Sequence, residues 1–221
     1  MSKTSKAWLA AAICASVIII DQIIKIWVKT SFFWGEDVEI TSWFHLKFIQ
    51  NNGMAFGMEI GSKLFLTLFR IIVVSICIWL ITRLVRKSGS STSFIVCLSL
   101  IAAGALGNII DCVFYGEIFN NPLPPEVATF VPWGHGYAPL LHGMVVDMFY
   151  FPLFSFTWPS WLPWIGGTEF SFFDPVFNFA DAAINVGFFG IIIFDVILAG
   201  RRSKKAVTET GREGNAENNS R

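Results

Sequence analysis

The sequence has little charge and no pattern typical of nucleic-acid binding. Only 14% of its 221 residues are Asp, Glu, Lys or Arg, whereas 54% are hydrophobic. Soluble domains carry roughly 25% charged residues, so this composition predicts an integral membrane protein. The formal net charge is zero and no basic face or recognition motif is present, so we expect no nucleic acid partner.

Metal-binding patterns are also missing. The sequence has four cysteines, all inside apolar runs, and no CxxC, Cys/His or HExxH spacing typical of zinc. Small buried side chains are therefore the favoured interpretation of these cysteines, and we expect no metal and no cofactor. No Ser/His or Cys/His arrangement indicates a nucleophile. The cysteines are Cys14, Cys77, Cys97 and Cys112, and the histidines are His45, His135 and His142.

Long apolar runs are what the sequence has in abundance. Four of them approach the length that a helix needs to cross a bilayer, which predicts an all-α transmembrane four-helix bundle. Two short alternating segments predict strands in a small β-rich extracytoplasmic cover. We expect one integral membrane domain over 1–205 and a disordered cytoplasmic tail over 206–221. The predicted spans are about 7–28, 64–82, 93–115 and 176–199, the outer loops 29–63 and 116–175, and the strands 36–40 and 44–49.

The basic residues predict the orientation. Lys3 and Lys6 precede the first span, and basic clusters at 83–87 and 201–205 follow the second and the fourth. The segment 116–175 contains no Lys or Arg. Because cytoplasmic loops are enriched in Lys and Arg, both termini are predicted to be cytoplasmic and both large loops to lie outside.

Polar side chains within or beside the spans are candidates for function, because such groups are expensive to bury in lipid. Asp21 and Lys25 lie four residues apart on one helical face, where a structural ion pair and a role at the site are both open. In the proposed orientation the polar residues gather near the outer face. They are Asp21, Asn51, Asn108, Asp111, Asp147 and Asp181.

Asp147 and Asp181 form the best candidate pair. Two adjacent carboxylates do not ionise together easily, so one serves as acid and the other as base. Such a pair can activate water against a peptide bond, which predicts a protease. An ion or proton transporter remains an alternative; it would spread its carboxylates through the bilayer, and Asp195 alone lies near the cytoplasmic end. A non-enzymatic assembly protein, tolerant of Asp147→Asn, is a third possibility.

Five motifs in order resemble those of the lipoprotein signal peptidases (signal peptidase II), four-span aspartic proteases of the bacterial inner membrane. The motifs touch all four predicted spans and both outer loops, and their order makes the resemblance specific. They are Asp21-Gln22-x-x-Lys25, Asn51-x-Gly53-x-Ala55-Phe56, Gly107-Asn108-x-x-Asp111, Val145-Val146-Asp147 and Phe177-Asn178-x-Ala180-Asp181.

The resemblance implies a function and a set of site residues. The implied substrate is a prolipoprotein whose lipobox cysteine carries diacylglycerol, cleaved just before that cysteine, and globomycin-type inhibitors and membrane lipids are implied ligands. We expect a monomer. Asp147 and Asp181 would be the catalytic pair. The implied supporting or substrate-binding residues are Asp21, Lys25, Asn51, Gly53, Asn108, Asp111, Asn178 and Ala180.

The chain departs from the family pattern in two places. Cys112 follows the third motif, where the family usually has Arg, and Arg70 is a possible substitute. The intervals on either side of Asp147 are also longer than usual for the family. We expect the additional Pro- and Trp-rich chain to form an enlarged cover on the outer leaflet, and we hypothesise that 120–138 controls the entry of lipid or substrate.

Overall fold

The computed structural model describes residues 1–52, 63–87, 89–172 and 174–194. Several sequence-based predictions fall on other residues and lie outside the described part of the chain. They are the supporting role of Gly53, the last residues of the fourth span with Asp195, the basic cluster at 201–205, and the tail over 206–221.

Three long apolar helices account for the largest part of the regular secondary structure in the described chain. Helix α1 covers Lys3–Ser31, α2 covers Lys63–Arg86 and α3 covers Thr92–Ile110. By length and composition all three can cross a membrane. The sequence predicts one regular helical span to about residue 115, but the end of this span is irregular. Helix α3 continues as a π-helical turn over Asp111–Tyr115 and then as a short α4 over Gly116–Ile118. Such π-turns widen a helix locally and are frequent at functional sites.

The predicted fourth span contains helix α5, which covers Phe179–Phe194. It begins at Phe179 rather than at residue 176, because Asn178 caps its first turn: the Asn178 side chain accepts a hydrogen bond from the Asp181 N–H at 2.9 Å. The described part of α5 is apolar but shorter than a full span. The four-helix bundle and the location of the termini therefore stay predictions.

Strands form two small sheets. The first has the antiparallel order β1-β2-β3, with β1 at Asp37–Thr41, β2 at Phe44–Asn51 and β3 at Val145–Tyr150. The second is a hairpin of β4, Phe154–Thr157, and β5, Glu169–Phe172. The predicted β-rich region is thus confirmed, and β3 joins chain segments almost a hundred residues apart.

Helices α3 and α5 approach each other closely because glycines face the partner helix. A side chain at Gly104 would meet the Ala180 carbonyl, and one at Gly187 would lie 2.6 Å from the Cys97 carbonyl oxygen. Small residues allow this kind of backbone approach between membrane helices. The contacts run antiparallel, so the beginning of α5 lies beside the end of α3.

A hydrophobic core joins the three-stranded sheet to the ends of α1 and α3. Its buried members are Val28, Phe32, Phe48, Tyr115, Phe119, Val146 and Met148.

Lys29, which the sequence analysis did not single out, is fully buried beside this core. Its Nζ lies 5.1 Å from the Tyr137 ring centroid and 5.4 Å from that of Phe119, and it donates to Gln50 Oε1 at 3.2 Å. Cation–π contacts of this kind stabilise a desolvated ammonium group. Lys29 thereby holds β2 and the 116–138 segment against the end of α1.

Candidate active site

Strand β3 presents Asp147 beside Asn51 of β2. The register pairs Asp147 with Ile49 and Val145 with Asn51, so Asp147 and Asn51 are diagonal neighbours on one face of the sheet. The Asn51 side-chain amide donates to Asp147 Oδ2 at 3.1 Å. The Asp147 side chain is almost completely buried.

A short bridge brings Asp147 to the beginning of α5. Phe149 and Phe177 exchange backbone hydrogen bonds of 2.8 and 3.0 Å. Asn178 follows directly, and its side-chain amide donates to Asp147 Oδ1 at 2.6 Å. The bridge thus joins β3, which carries Asp147, to the beginning of α5, which carries Asp181.

Asn178 and Asp181 form a reciprocal cap at the first turn of α5. The Asp181 backbone N–H donates to Asn178 Oδ1, and the Asn178 backbone N–H donates to Asp181 Oδ2 at 3.3 Å. This is the capping-box arrangement with Asn and Asp in the two roles. Because Asn178 also binds Asp147, one asparagine contacts both carboxylates.

Asn108 of α3 supports the other oxygen of Asp181. Its Nδ2 donates to Asp181 Oδ1 at 2.8 Å. Its Oδ1 accepts hydrogen bonds from Lys25 Nζ at 2.8 Å and from Asn178 Nδ2 at 3.1 Å. Since both of these partners are donors, the amide orientation of Asn108 is determined, and its own N–H group must point to Asp181.

Lys25 lies at the centre of a buried triad with Asp21 and Asp111. Its Nζ is 2.9 Å from Asp21 Oδ2 and 2.8 Å from Asp111 Oδ2, and all three side chains are fully buried. The predicted pairing of Asp21 with Lys25 on one helical face is present. Charges this deep are tolerated when each is paired and hydrogen-bonded.

The triad also holds backbone groups around the two aspartates. Asp111 Oδ2 accepts from the Val146 N–H at 3.2 Å, next to Asp147 on β3. Asp21 Oδ1 accepts from the Ala180 N–H at 2.9 Å, next to Asp181 on α5. Each carboxylate of the triad therefore fixes the residue adjacent to one of the predicted catalytic aspartates.

Burial of Asp147 and the nearby Asp181 carboxylate raise the pKa of Asp147 to about 7. Desolvation is the larger cause, and the negative charge of Asp181 adds to it. The hydrogen bonds from Asn51 and Asn178 and the positive charge of Lys25 oppose the shift. The carboxyl group of Asp147 is therefore much easier to protonate near neutral pH than that of an ordinary aspartate.

Gln22 and Tyr115 belong to the same network but were not predicted as site residues. Gln22 Nε2 donates to Asp111 Oδ1 at 3.0 Å, and the Tyr115 hydroxyl donates to Gln22 Oε1 at 3.1 Å. Gln22 lies inside the first motif, which was a signal for its role. Tyr115 lies in the π-helical turn, which local sequence does not reveal.

Arg70 and Cys112 are in contact. Arg70 Nη1 donates to Cys112 Sγ at 3.2 Å, and among the described residues Arg70 forms no ion pair with a carboxylate. The guanidinium thus contacts the residue that stands where the resemblance implies an Arg, and its substitution for that Arg remains a prediction.

All predicted site residues within the described chain converge on this one region. Ala180 is buried against α3 and contributes its backbone N–H, not a side-chain function. Within the described ranges, no group of three or more His, Cys, Asp or Glu could hold a metal ion.

Comparisons with known proteins agree with this arrangement of motifs. The lipoprotein signal peptidase of Porphyromonas gingivalis (strain ATCC 33277) is 49% identical over 193 residues, which cover 87% of this chain and 85% of the relative. The lipoprotein signal peptidase of Amoebophilus asiaticus (strain 5a2) is 38% identical over 200 residues, covering 87% of this chain and 79% of the relative.

Two solved structures share the fold, and both are described as bacterial membrane enzymes determined by the in meso method. One has a TM-score of 0.58 at 24% identity and covers 85% of this chain and 87% of its own. The other has a TM-score of 0.56 at 25% identity, covering 83% and 90%. Residues 13–198 match the family described as signal peptidase (SPase) II. The chain is a multi-pass membrane protein and belongs to the signal peptidase II family of proteases.

Proposed function

We propose that this protein is an aspartic endopeptidase that removes signal peptides from diacylglyceryl-modified prolipoproteins, cleaving before the lipidated cysteine. Asp147 and Asp181 are the catalytic residues. The observation that carries the proposal is that Asn178 binds both carboxylates. Its side chain donates to Asp147, its backbone N–H donates to Asp181, and the pKa of Asp147 is raised to about 7. Groups whose pKa values are displaced by burial and a like charge are typical of catalytic sites.

In the proposed reaction, the pair holds one proton, mainly on Asp147. Asp181 accepts a proton from water as the water oxygen bonds to the scissile carbonyl carbon, and Asp147 donates its proton to the carbonyl oxygen. The intermediate then breaks its carbon–nitrogen bond. Asp181 delivers its proton to the leaving amine, and a hydroxyl proton of the intermediate returns to Asp147. Both carboxyl groups end in their starting protonation states.

The supporting residues keep the two carboxylates in place rather than react. Asn51 and Asn178 orient Asp147, and Asn108 orients Asp181. The buried triad supports Asn108 and holds the backbone N–H groups of the residues that precede Asp147 and Asp181. Gly53, in the second motif, has a proposed supporting or substrate-binding role. The segment 1–205 is proposed to form one membrane domain.

We also infer that the site lies at the extracytoplasmic face of the bacterial inner membrane and that both termini are cytoplasmic. Lys6 Nζ donates to the Ser90 carbonyl at 2.6 Å, so the beginning of α1 lies beside the turn between α2 and α3. Arg83 and Arg86, in the last turn of α2, therefore lie at the end of the helices opposite the site. This distribution supports the orientation, because basic residues are enriched on the cytoplasmic side.

Cleavage of a diacylglyceryl-modified prolipoprotein peptide by the purified protein in detergent tests the proposal. Asp147→Asn and Asp181→Asn should each reduce kcat by roughly 10²–10⁴-fold, the usual contribution of a positioned acid or base. Asp37→Asn is the matched control, because Asp37 pairs with His45 on the surface of the same sheet. Globomycin should inhibit the wild type. Cleavage that survives either substitution would refute the pair.

The transporter alternative predicts a different distribution of carboxylates. In the described chain the buried ones lie together at one end of the helices, around Asn108 and Asn178. This clustering and the protease family both favour hydrolysis over ion conduction.

A further inference from the structure

The β4–β5 hairpin is the part of the structure that the proposed chemistry does not use. It lies in the chain between Asp147 and Asp181, and residues 151–168 contain no charged side chain. Among the described helices and strands, β4 and β5 pack substantially only against each other. An isolated two-stranded hairpin is marginally stable in water and normally needs an apolar surface to pack against.

The hairpin is strongly aromatic where it is exposed. Its register pairs Phe156 with Phe170, whose rings are 5.1 Å apart and remain partly exposed. Beyond the strands, the tip exposes Trp161 at 77% and Trp164 at 99% of their surface. Scattered exposed apolar residues are ordinary, but several exposed aromatic rings on one hairpin mark an interaction surface, and Glu169 is the one charged residue between Phe154 and Phe172.

The base of the hairpin lies next to a membrane helix. The Phe151 ring stacks on Phe177 at 5.6 Å and on Phe44 at 5.0 Å. Phe177 precedes the first residue of α5 by two positions. The surface of α5 is itself apolar and exposed, with Phe188 and Phe189 among its outward side chains. The base of the hairpin therefore lies beside the beginning of α5, a helix whose outward side chains are apolar.

We propose that the β4–β5 hairpin inserts Trp161 and Trp164 into the headgroup region of the phospholipid bilayer beside α5. Tryptophan is enriched at membrane–water interfaces, where its ring is partly in an apolar environment and its N–H group stays hydrated. A charge-free tip can enter this region without burying a charge. The hairpin then anchors the chain between the two aspartates at a constant depth in the membrane.

A difference-fluorescence experiment tests the insertion in the full chain. Wild-type protein, Trp164→Phe and Trp161→Phe are reconstituted into phospholipid vesicles with or without brominated acyl chains. Subtracting each variant from the wild type isolates the emission of one tryptophan, and phenylalanine keeps the tip apolar. Trp8→Phe is the matched control, because Trp8 is similarly exposed on α1, near the other end of the helices.

The Trp164 emission should be quenched by brominated lipid to an extent similar to that of Trp8, and should be protected from iodide in the aqueous phase. Quenching by iodide without quenching by lipid would place the tip in water and overturn the proposal. Protection from both quenchers would show that a protein surface, such as a second copy of the chain, covers the tip, and would also overturn it. The readout is emission and not cleavage, so the result is independent of the proposed function.

Discussion

Asn178 offers the sharpest test of how the site works, because one side chain both caps α5 and binds a catalytic candidate. Replacement by Ala removes the cap to Asp181 and the donor to Asp147. Loss of an N-cap costs about 1 kcal/mol, and loss of a hydrogen bond to a charged group costs about 1.5–3 kcal/mol. Asn178→Ala should therefore lower the free energy of unfolding by roughly 2.5–4 kcal/mol where Asp147 is ionised.

Asn178→Ser is the matched variant that separates the two effects. Serine is a good N-cap, so its hydroxyl should accept the Asp181 N–H and recover about 1 kcal/mol. The shorter side chain does not reach Asp147. Serine should thus restore part of the stability but none of the effect on Asp147.

The pH dependence of cleavage should report the lost donor. The hydrogen bond from Asn178 stabilises the Asp147 carboxylate and so lowers its pKa, which is about 7 in the intact site. Removing the bond raises the pKa further, by about one unit for each 1.4 kcal/mol of lost interaction. With the higher pKa, Asp147 stays protonated to higher pH, and in the proposed reaction the protonated form is the acid. The alkaline limb of the pH profile of kcat/KM should move to higher pH in both variants.

The assays are thermal unfolding in detergent at pH 5 and pH 9 and a pH–rate profile with the diacylglyceryl-modified peptide. The destabilisation by Ala should be larger at pH 9, where the carboxylate that accepted the bond is charged. An alkaline limb that stays in place, or that moves to lower pH, while stability falls would refute the assignment of Asp147 as the acid.

Three further predictions concern the buried charges and the helix contact. Asp147 has a pKa of about 7 against an ordinary value of 3.8, so the folded state binds an extra proton between these pH values and its stability falls as pH rises through that window. Asp147→Asn should remove this pH dependence and raise the melting temperature at pH 8. An unchanged dependence of the melting temperature on pH would contradict the prediction. Lys25→Met leaves the two carboxylates of the triad without their cation and should destabilise the protein by about 3–5 kcal/mol. Lys47→Met removes a surface ion pair with Asp37 at 3.5 Å and should change stability by less than about 1 kcal/mol. Equal losses of stability in chemical denaturation would contradict the structural importance of the triad. Gly104→Val places a side chain against the backbone of α5 and should lower both the melting temperature and kcat. Ala15→Val, on the exposed face of α1, should be nearly neutral. A fully active Gly104→Val variant would argue against the close packing of α3 and α5.

Local sequence was sufficient for the membrane class and for three of the helices, and the order of the five motifs indicated most of the residues that converge at the candidate site. Apolar run length determines whether a helix can cross lipid, and it requires no knowledge of partners. The pairing of Asp21 with Lys25 also follows from helical spacing alone, because residues four apart share a face. The reciprocal cap of Asn178 and Asp181 had a local signal, an Asn three residues before an Asp at a helix start, which the sequence analysis did not use.

The tertiary structure decided how these residues meet. The diagonal contact of Asn51 with Asp147 depends on pairing strands separated by almost a hundred residues, and such pairing is set by packing rather than by local propensity. Burial of Lys29 among aromatic rings and the π-helical turn after α3 depend on the same long-range contacts. The raised pKa of Asp147 belongs to the folded site alone, because desolvation and the approach of Asp181 exist only when β3 and α5 are brought together.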